Sequence, residues 1–372
     1  MSIPFENGNT KVIMLILTHS CNLKCAYCYE HQKRDASKLM TPETAQKIIK
    51  EEITSSLDRF NRVVIHFMGG EPFLRFEVIK EICEWIDGKQ WPVDVVLSTT
   101  TNGTLLNDHR EWLQEHSNTF KVVLSADGDK TMQDKNRCNS YASIDFDFYT
   151  STWPDGKVKM TISPDTVNDV AKGVISLHEK GIKRIEGNLA LGTEITWNFE
   201  HLREYRNELR KLIRYYLEHP ELCPASMVNV DISRILYDAP WKKRCSCGVG
   251  LICYDVNGKP YPCHLFSPIT LNEEQLRLLQ SSNIDFSETE LFADAKCGTC
   301  AIRKCCSRCY GMNFIYTGSV SSAPSIFCSA SQIDFFATCS LLYQRLRRHQ
   351  QIDNKYEIET ALAHIQKVIQ TK

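Results

Sequence analysis

Six apolar segments of strand length, separated by stretches with helical periodicity, restrict this chain to an α/β architecture with a largely parallel sheet. Strands are expected at 11–17, 63–67, 93–98, 120–125, 158–162 and 182–189, and helices at 41–57, 76–86, 107–115, 167–179 and 199–217. Thr41-Pro42-Glu43 supplies a capping hydroxyl, proline at the first helical position and an acid in the first turn. In the longest helix Leu209, Leu212, Ile213, Tyr216 and Leu217 form one apolar face, which is a core stripe. Six strand–helix units fall two short of a closed eight-stranded barrel.

At 372 residues and 42% hydrophobic, the chain can bury the cores of two or three domains. Its net charge of −1 gives no electrostatic footprint for nucleic acid, so none is expected as a partner. The first residues lack a basic region and an apolar core, and no apolar run approaches membrane length. A cytoplasmic protein without a membrane partner is expected. The 17 cysteines therefore point to metal rather than disulfides. Three lie at 21–28, three are isolated at 83, 138 and 223, ten fall between 245 and 328, and Cys339 follows. A catalytic module with a separate cysteine-rich module is the simplest organisation, and the isolated thiols read as small buried hydrophobes.

Cys21, Cys25 and Cys28 sit on the loop that leaves the first strand. Spaced three and then two residues apart, they offer three soft anionic ligands to a metal that usually takes four. A closed structural site has no such vacancy, whereas an iron–sulfur cube with one unligated iron can engage a small molecule. The residues alone support three clustered thiolates bound to metal.

This loop, with Tyr27 just before its last cysteine, resembles the cluster loop of the radical S-adenosylmethionine (radical SAM) enzymes. The resemblance implies that the open iron is chelated by the methionine end of SAM. Four further segments at strand exits resemble the same family: Gly69-Gly70-Glu71-Pro72, Thr101-Asn102-Gly103, Ser125-Ala126-Asp127-Gly128, and the run 134–137 after it. Gly69, Gly70, Glu71, Asn102, Ser125 and Asp127 are thereby assigned to the SAM pocket. Paired glycines would let backbone approach the ligand, and Glu71 would anchor an ammonium group or organise the loop. The implied fold is a partial (β/α)6 barrel over residues 8–220. Glu186 and Asn188 face the radical or serve packing.

The second half resembles the SPASM extension of peptide- and protein-modifying radical SAM enzymes, which holds two auxiliary [4Fe–4S] clusters. A domain over 221–330 and closing helices over 331–372 are expected, with Asn257-Gly258 as a hairpin signal that brings Cys253 and Cys263 together. The resemblance implies one cluster on Cys247, Cys253, Cys263 and Cys309, and another on Cys297, Cys300, Cys328 and one of the doublet Cys305–Cys306. Two family spacings conflict at the doublet; Cys305 is the preferred ligand and Cys306 the alternative. A pair of zinc knuckles is the other reading of these thiols.

The expected cofactors are three [4Fe–4S] clusters and SAM. The expected activity is that of a radical SAM oxidoreductase, a maturase that crosslinks a ribosomally synthesised peptide (RiPP biosynthesis). Formylglycine formation by an anaerobic sulfatase maturase is the alternative enzyme reading, and a non-catalytic metal-cluster adaptor the alternative outside enzymes. Sulfatase maturases carry aspartate where this chain has His264, so His264 is the candidate base, or else a cap on the cluster loop. Besides its peptide or protein substrate, such an enzyme needs a reductant such as flavodoxin or ferredoxin. No precursor-binding module is expected before residue 21, so recognition is expected to come from the barrel rim, the extension or a separate precursor-recognition protein.

Overall fold

The computed structural model describes residues 9–30, 35–237, 245–288, 294–306 and 309–370. In chain order the main elements are β1 (Thr10–Thr18), α1 (Pro42–Thr54), β2 (Arg62–Gly69), α2 (Phe76–Asp87), β3 (Asp94–Thr101), α3 (Arg110–Glu115), β4 (Phe120–Ser125), α4 (Lys130–Asn136), α5 (Phe146–Thr152), β5 (Lys157–Ile162), α6 (Val170–Glu179), β6 (Arg184–Leu189), α7 (Phe199–Glu218), β7 (Leu251–Tyr254), β8 (Pro260–Tyr261), α8 (Glu273–Ser281), α9 (Tyr310–Thr317), α10 (Ser325–Arg347) and α11 (Lys355–Gln370). They form two compact units, each assembled from discontinuous segments.

The first unit comprises Met1–Ala126, Gln133–Gly156 and Arg244–Glu288. Its strands run in the order β4-β3-β2-β1-β7-β8. The first five are parallel, and β8 closes the edge as the antiparallel arm of a hairpin. β1 lies between β2 and β7 and is buried along all nine residues, which explains its unbroken apolar sequence. The Thr41 hydroxyl caps α1 by accepting from the Thr44 N–H, as the sequence suggests, and the helix stops at Thr54. α2 buries Phe76, Val78, Ile79, Ile82, Cys83 and Ile86 on one face. There Cys83 behaves as the small hydrophobe expected, burial pushing its thiol well above the ordinary range.

The second unit comprises Asp127–Met132, Lys157–Lys243 and Thr289–Lys372. β5 and β6 are parallel, with Lys159 opposite Glu186 and Thr161 opposite Asn188. Val158, Met160 and Ile162 are buried on the alternate face of β5. α7 buries Leu209, Leu212, Ile213, Tyr216 and Leu217, the stripe legible in the sequence, together with Leu202 and Tyr205.

α10 contacts α7. By length and composition alone α10 is long and apolar enough to cross a membrane, where the sequence reading expects no apolar run of that length. It carries Asp334, whose carboxylate accepts from Tyr205 Oη at 2.7 Å, and Arg345, which donates to Tyr216 O at 3.1 Å. Thr338 Oγ1 accepts from the Val230 N–H at 3.1 Å. These polar contacts and the buried residues Phe327, Ala330, Phe335, Thr338 and Leu341 tie one face of α10 to this unit.

Candidate active site and thiol centres

The loop after β1 holds Cys21, Cys25 and Cys28 half-buried. Its shape is set from two sides. The exit of β2 crosses it closely: the Gly70 N–H donates to Thr18 O at 3.0 Å and the Glu71 N–H to Ser20 O at 2.8 Å. A Cβ at Gly69, where φ is +142°, would sit 2.3 Å from Thr18 O; one at Gly70 would sit 2.2 Å from Ser20 O and 3.0 Å from Cys21 Cβ. The glycine pair is therefore required by the approach of the cysteine loop itself, a second reason beyond room for a ligand. On the other side the Ala26 N–H donates to Asn136 O at 2.8 Å, and the Arg137 guanidinium lies 5.4 Å from the Tyr27 ring centroid. Cys138, expected to be buried, is instead exposed at φ +55° and donates its thiol to Lys24 O at 2.8 Å.

Glu71 is 1% exposed, and its carboxylate accepts three hydrogen bonds. Oε1 takes the Phe73 N–H at 3.0 Å and Thr101 Oγ1 at 2.8 Å, while Oε2 takes the Asn102 N–H at 2.8 Å. This couples the exits of β2 and β3. Burial lifts the carboxyl to about 6 against those bonds and the Arg137 charge. Asn102 extends the coupling to the cysteine loop, donating to Asn22 Oδ1 at 2.8 Å with its Nδ2 4.0 Å from Cys21 Sγ. Asn22 in turn donates to Thr104 Oγ1 at 2.8 Å, and Thr104 donates to Asn102 Oδ1 at 2.7 Å. Glu71, Asn102 and Cys21 thus belong to one network. Asn22, Thr101 and Thr104 are members that spacing alone does not reveal.

Ser125 ends β4 half-buried. Asp127 belongs to the second unit, fully buried, where it accepts from the Thr161 N–H at 2.9 Å. Glu186 pairs with Lys157 and hydrogen-bonds Asn188, so both members of that expected pair have partners on β5 and β6.

The cysteine-rich part of the first unit is built on the expected hairpin. Gly258 has φ +78°, and the Asp255 carboxylate accepts from the Asn257 and Lys259 N–H groups at 2.9 Å each. β7 and β8 pair Cys253 with Tyr261, and β7 also pairs with β1, setting Cys253 beside Met14. Cys247, Cys253 and Cys263 are buried at 2%, 0% and 9% exposure. Hydrogen bonds to Cys245 and Cys263, then burial, push the Cys247 thiol well above its ordinary range. Thiols crowded together away from water cannot all ionise without a bound cation, which is the donor chemistry a cluster needs.

His264 follows Cys263. Its ring centroid lies 6.3 Å from that of Tyr29, and its carbonyl accepts from Ser267 Oγ at 2.7 Å and Thr270 Oγ1 at 3.1 Å.

In the second unit, Cys297, Cys300, Cys306 and Cys328 line one cavity of about 400 Å³, with Lys296 and Arg303 among its walls. Cys305, the preferred ligand of the sequence reading, is not among them. Its side chain is 2% exposed and packed with Ile232, Ile235, Ile302, Phe335, Ala361 and Ile365. Cys300 and Cys306 pack against the same cluster from its partly buried edge.

Cys309 caps α9, accepting from the Met312 N–H at 3.4 Å. Cys223, expected to be buried, is exposed; Cys339 is half-buried, its thiol pushed up to about 12 by burial and by Cys305. Among the described residues, no three His, Cys, Asp or Glu side chains converge on a single metal ion. Thiols ranged around a void fit a cube, which holds its ligands farther apart than one tetrahedral zinc does.

A family model of the radical SAM superfamily matches residues 15–206, just over half of the chain. The chain belongs to the radical SAM superfamily. An uncharacterised protein of Methanocaldococcus jannaschii is 34% identical over 119 residues, covering 32% of this chain and 39% of its own length. The radical SAM cyclopropyl synthase TigE of Paramaledivibacter caminithermalis is 28% identical over 130 residues, covering 32% and 27%. The chain thus spans well under two thirds of these relatives' lengths.

Among solved structures, anSMEcpe with bound AdoMet aligns over 91% of this chain and 98% of its own, with a TM-score of 0.69 and 18% identity. Streptococcus suis SuiB bound to the precursor peptide SuiA aligns over 86% and 76%, with a TM-score of 0.57 and 16% identity. At these identities the likeness is one of fold.

Proposed function

We propose that this chain is a radical SAM oxidoreductase that matures a ribosomally synthesised peptide by oxidative crosslinking. The observation that carries the reading is the network joining Cys21 to Asn102 and Glu71 at the exits of three adjacent parallel strands, where α/β folds bind ligands. When bound there, a reduced [4Fe–4S] cluster and SAM supply a 5′-deoxyadenosyl radical that abstracts a substrate hydrogen. Cys21, Cys25 and Cys28 would hold that cluster. Gly69 and Gly70 keep the loop close, Glu71 and Asn102 fix it, and Ser125 and Asp127 are further pocket residues. Of the two hydrogens lost, one would leave as an atom to the deoxyadenosyl radical and the other as a proton to His264, with its electron passing to an auxiliary cluster.

Two auxiliary clusters are proposed, the first on Cys247, Cys253 and Cys263 and the second on Cys297, Cys300 and Cys328; Cys309 is assigned as a further ligand on the SPASM resemblance. The proposed modules are the barrel over 8–220, the auxiliary domain over 221–330 and the closing helices. The proposed partners are a flavodoxin or ferredoxin reductant and a separate precursor-recognition protein, in the cytoplasm, without membrane or nucleic acid.

Support for a peptide substrate comes from the fold shared with SuiB bound to SuiA and with anSMEcpe, one of whose structures holds the Cp18Cys peptide. Formylglycine formation is the second reading, favoured by alignment over 98% of anSMEcpe. Reduced enzyme and SAM, incubated separately with a sulfatase-motif peptide and with a short cysteine- or aromatic-rich peptide encoded beside the gene, distinguish them by mass. The proposal predicts loss of two hydrogens and an intramolecular link in the encoded peptide. Conversion of the sulfatase-motif cysteine to an aldehyde would establish the second reading instead.

A further inference from the structure

We propose that Cys306, rather than its neighbour Cys305, is the fourth thiolate of the cavity formed by Cys297, Cys300 and Cys328. The inference rests on the SPASM reading and assigns a ligand that the spacing of the cysteine run leaves undecided.

The doublet is divided by the fold. Residues 300–305 turn tightly: the Arg303 N–H donates to Cys300 O at 3.2 Å and the Cys305 N–H to Ile302 O at 2.9 Å. Leaving this turn, the two side chains differ in burial and in access to the cavity, although Cys306 also packs against the edge of the apolar cluster. Cys305 goes into the apolar cluster of Ile232, Ile235, Phe335, Ala361 and Ile365, with its Sγ 3.8 Å from Ile232 O. Cys306 stays half-buried and lines the cavity of about 400 Å³ with the other three thiols.

Bringing Cys305 to that cavity would mean withdrawing a packed side chain from a core it helps fill, while Cys306 was already at the wall. The remaining walls suit the group. A cluster with four thiolates carries net negative charge, and Lys296 and Arg303 line the same space. All four thiols come from the second compact unit, so its donor set is complete without a residue of the other.

The test is metal content, read on the whole protein reconstituted anaerobically. Iron, sulfide and zinc are measured per chain for the wild type, Cys306→Ser, Cys305→Ser and Cys305→Ala, with paramagnetic resonance spectra of the reduced samples. Cys305→Ala keeps the position apolar, whereas a serine hydroxyl buried there without a partner would destabilise the core. The wild type is expected at about twelve irons; Cys306→Ser at about eight, with one reduced-cluster signal lost; and Cys305→Ala at about twelve with all signals kept.

Full iron and unchanged signals in Cys306→Ser, or loss of a cluster in Cys305→Ala, would overturn the assignment. A wild type holding only about four irons would instead overturn the auxiliary-cluster reading beneath it. Thus the two failures are told apart in one experiment.

Discussion

Replacing Glu71 with alanine is the sharpest probe of how the strand exits hold the cysteine loop. The change strips the acceptor from the Phe73 N–H, the Asn102 N–H and Thr101 Oγ1, donors at 2.8–3.0 Å in the interior. A buried donor left unsatisfied costs about 1–3 kcal/mol, so three give a gross loss of roughly 3–9 kcal/mol. Against this stands the cost of keeping a charged carboxylate buried. Its rise from 4.5 to about 6 corresponds to about 2 kcal/mol at neutral pH.

The net loss is about 3 kcal/mol near pH 7, with a defined pH dependence. Because the folded carboxyl titrates above the unfolded one, the stability linked to its protonation is fully present below 4.5 and is lost as pH rises through 6. Wild type is therefore penalised by about 2 kcal/mol at pH 8 and by about 0.8 kcal/mol at pH 5, and the variant's deficit is larger at pH 5. Denaturant unfolding at both pH values, with calorimetric SAM binding on iron-matched samples, measures it. The same deficit at pH 5 and pH 8, or lost SAM affinity with no loss of stability, would refute the role of Glu71 as a buried organiser.

Two further outcomes follow from the same geometry. Gly70→Ala would drive a Cβ to 2.2 Å from Ser20 O and displace the cysteine loop; iron analysis should show about one third of the metal lost, from the first cluster alone, with the auxiliary signals intact. His264→Gln should keep deoxyadenosine formation while slowing two-hydrogen loss from the encoded peptide by about 10²–10⁴-fold, the usual contribution of a positioned base. Unchanged product formation would make the Tyr29–His264 contact purely structural.

Much of this organisation is legible in the sequence where local chemistry decides it. Thr41-Pro42-Glu43 starts a helix because capping is a matter of adjacent residues, and Asn257-Gly258 turns a hairpin because the turn needs positive φ. Long-range pairing is less legible. Nothing local in Leu251–Tyr254 says that it pairs in parallel with β1, and the partners of Glu71 lie 30 and 31 positions away on another strand exit.

The doublet is the clearest limit. Two spacing rules each select a different cysteine, and spacing cannot tell that Cys305 is buried within an apolar cluster while Cys306, at the edge of that cluster, lines a cavity. Cys138 and Cys223 are misread for a related reason: an isolated thiol has no pattern to betray exposure, and left-handed backbone at Cys138 turns that residue outward to the cysteine loop. α10 begins at Ser325, ahead of the closing helices expected from 331, because its start carries no capping side chain to mark it.

The central claim is that Cys21, Cys25 and Cys28 hold a cluster that cleaves SAM reductively. It is tested most directly by quantifying 5′-deoxyadenosine from anaerobic, iron-replete enzyme given SAM and a strong reductant. Formation of deoxyadenosine by the wild type and none by the Cys21→Ala, Cys25→Ala and Cys28→Ala variants is the predicted result. A wild type with its iron in place that releases no deoxyadenosine above the reductant blank would contradict the account.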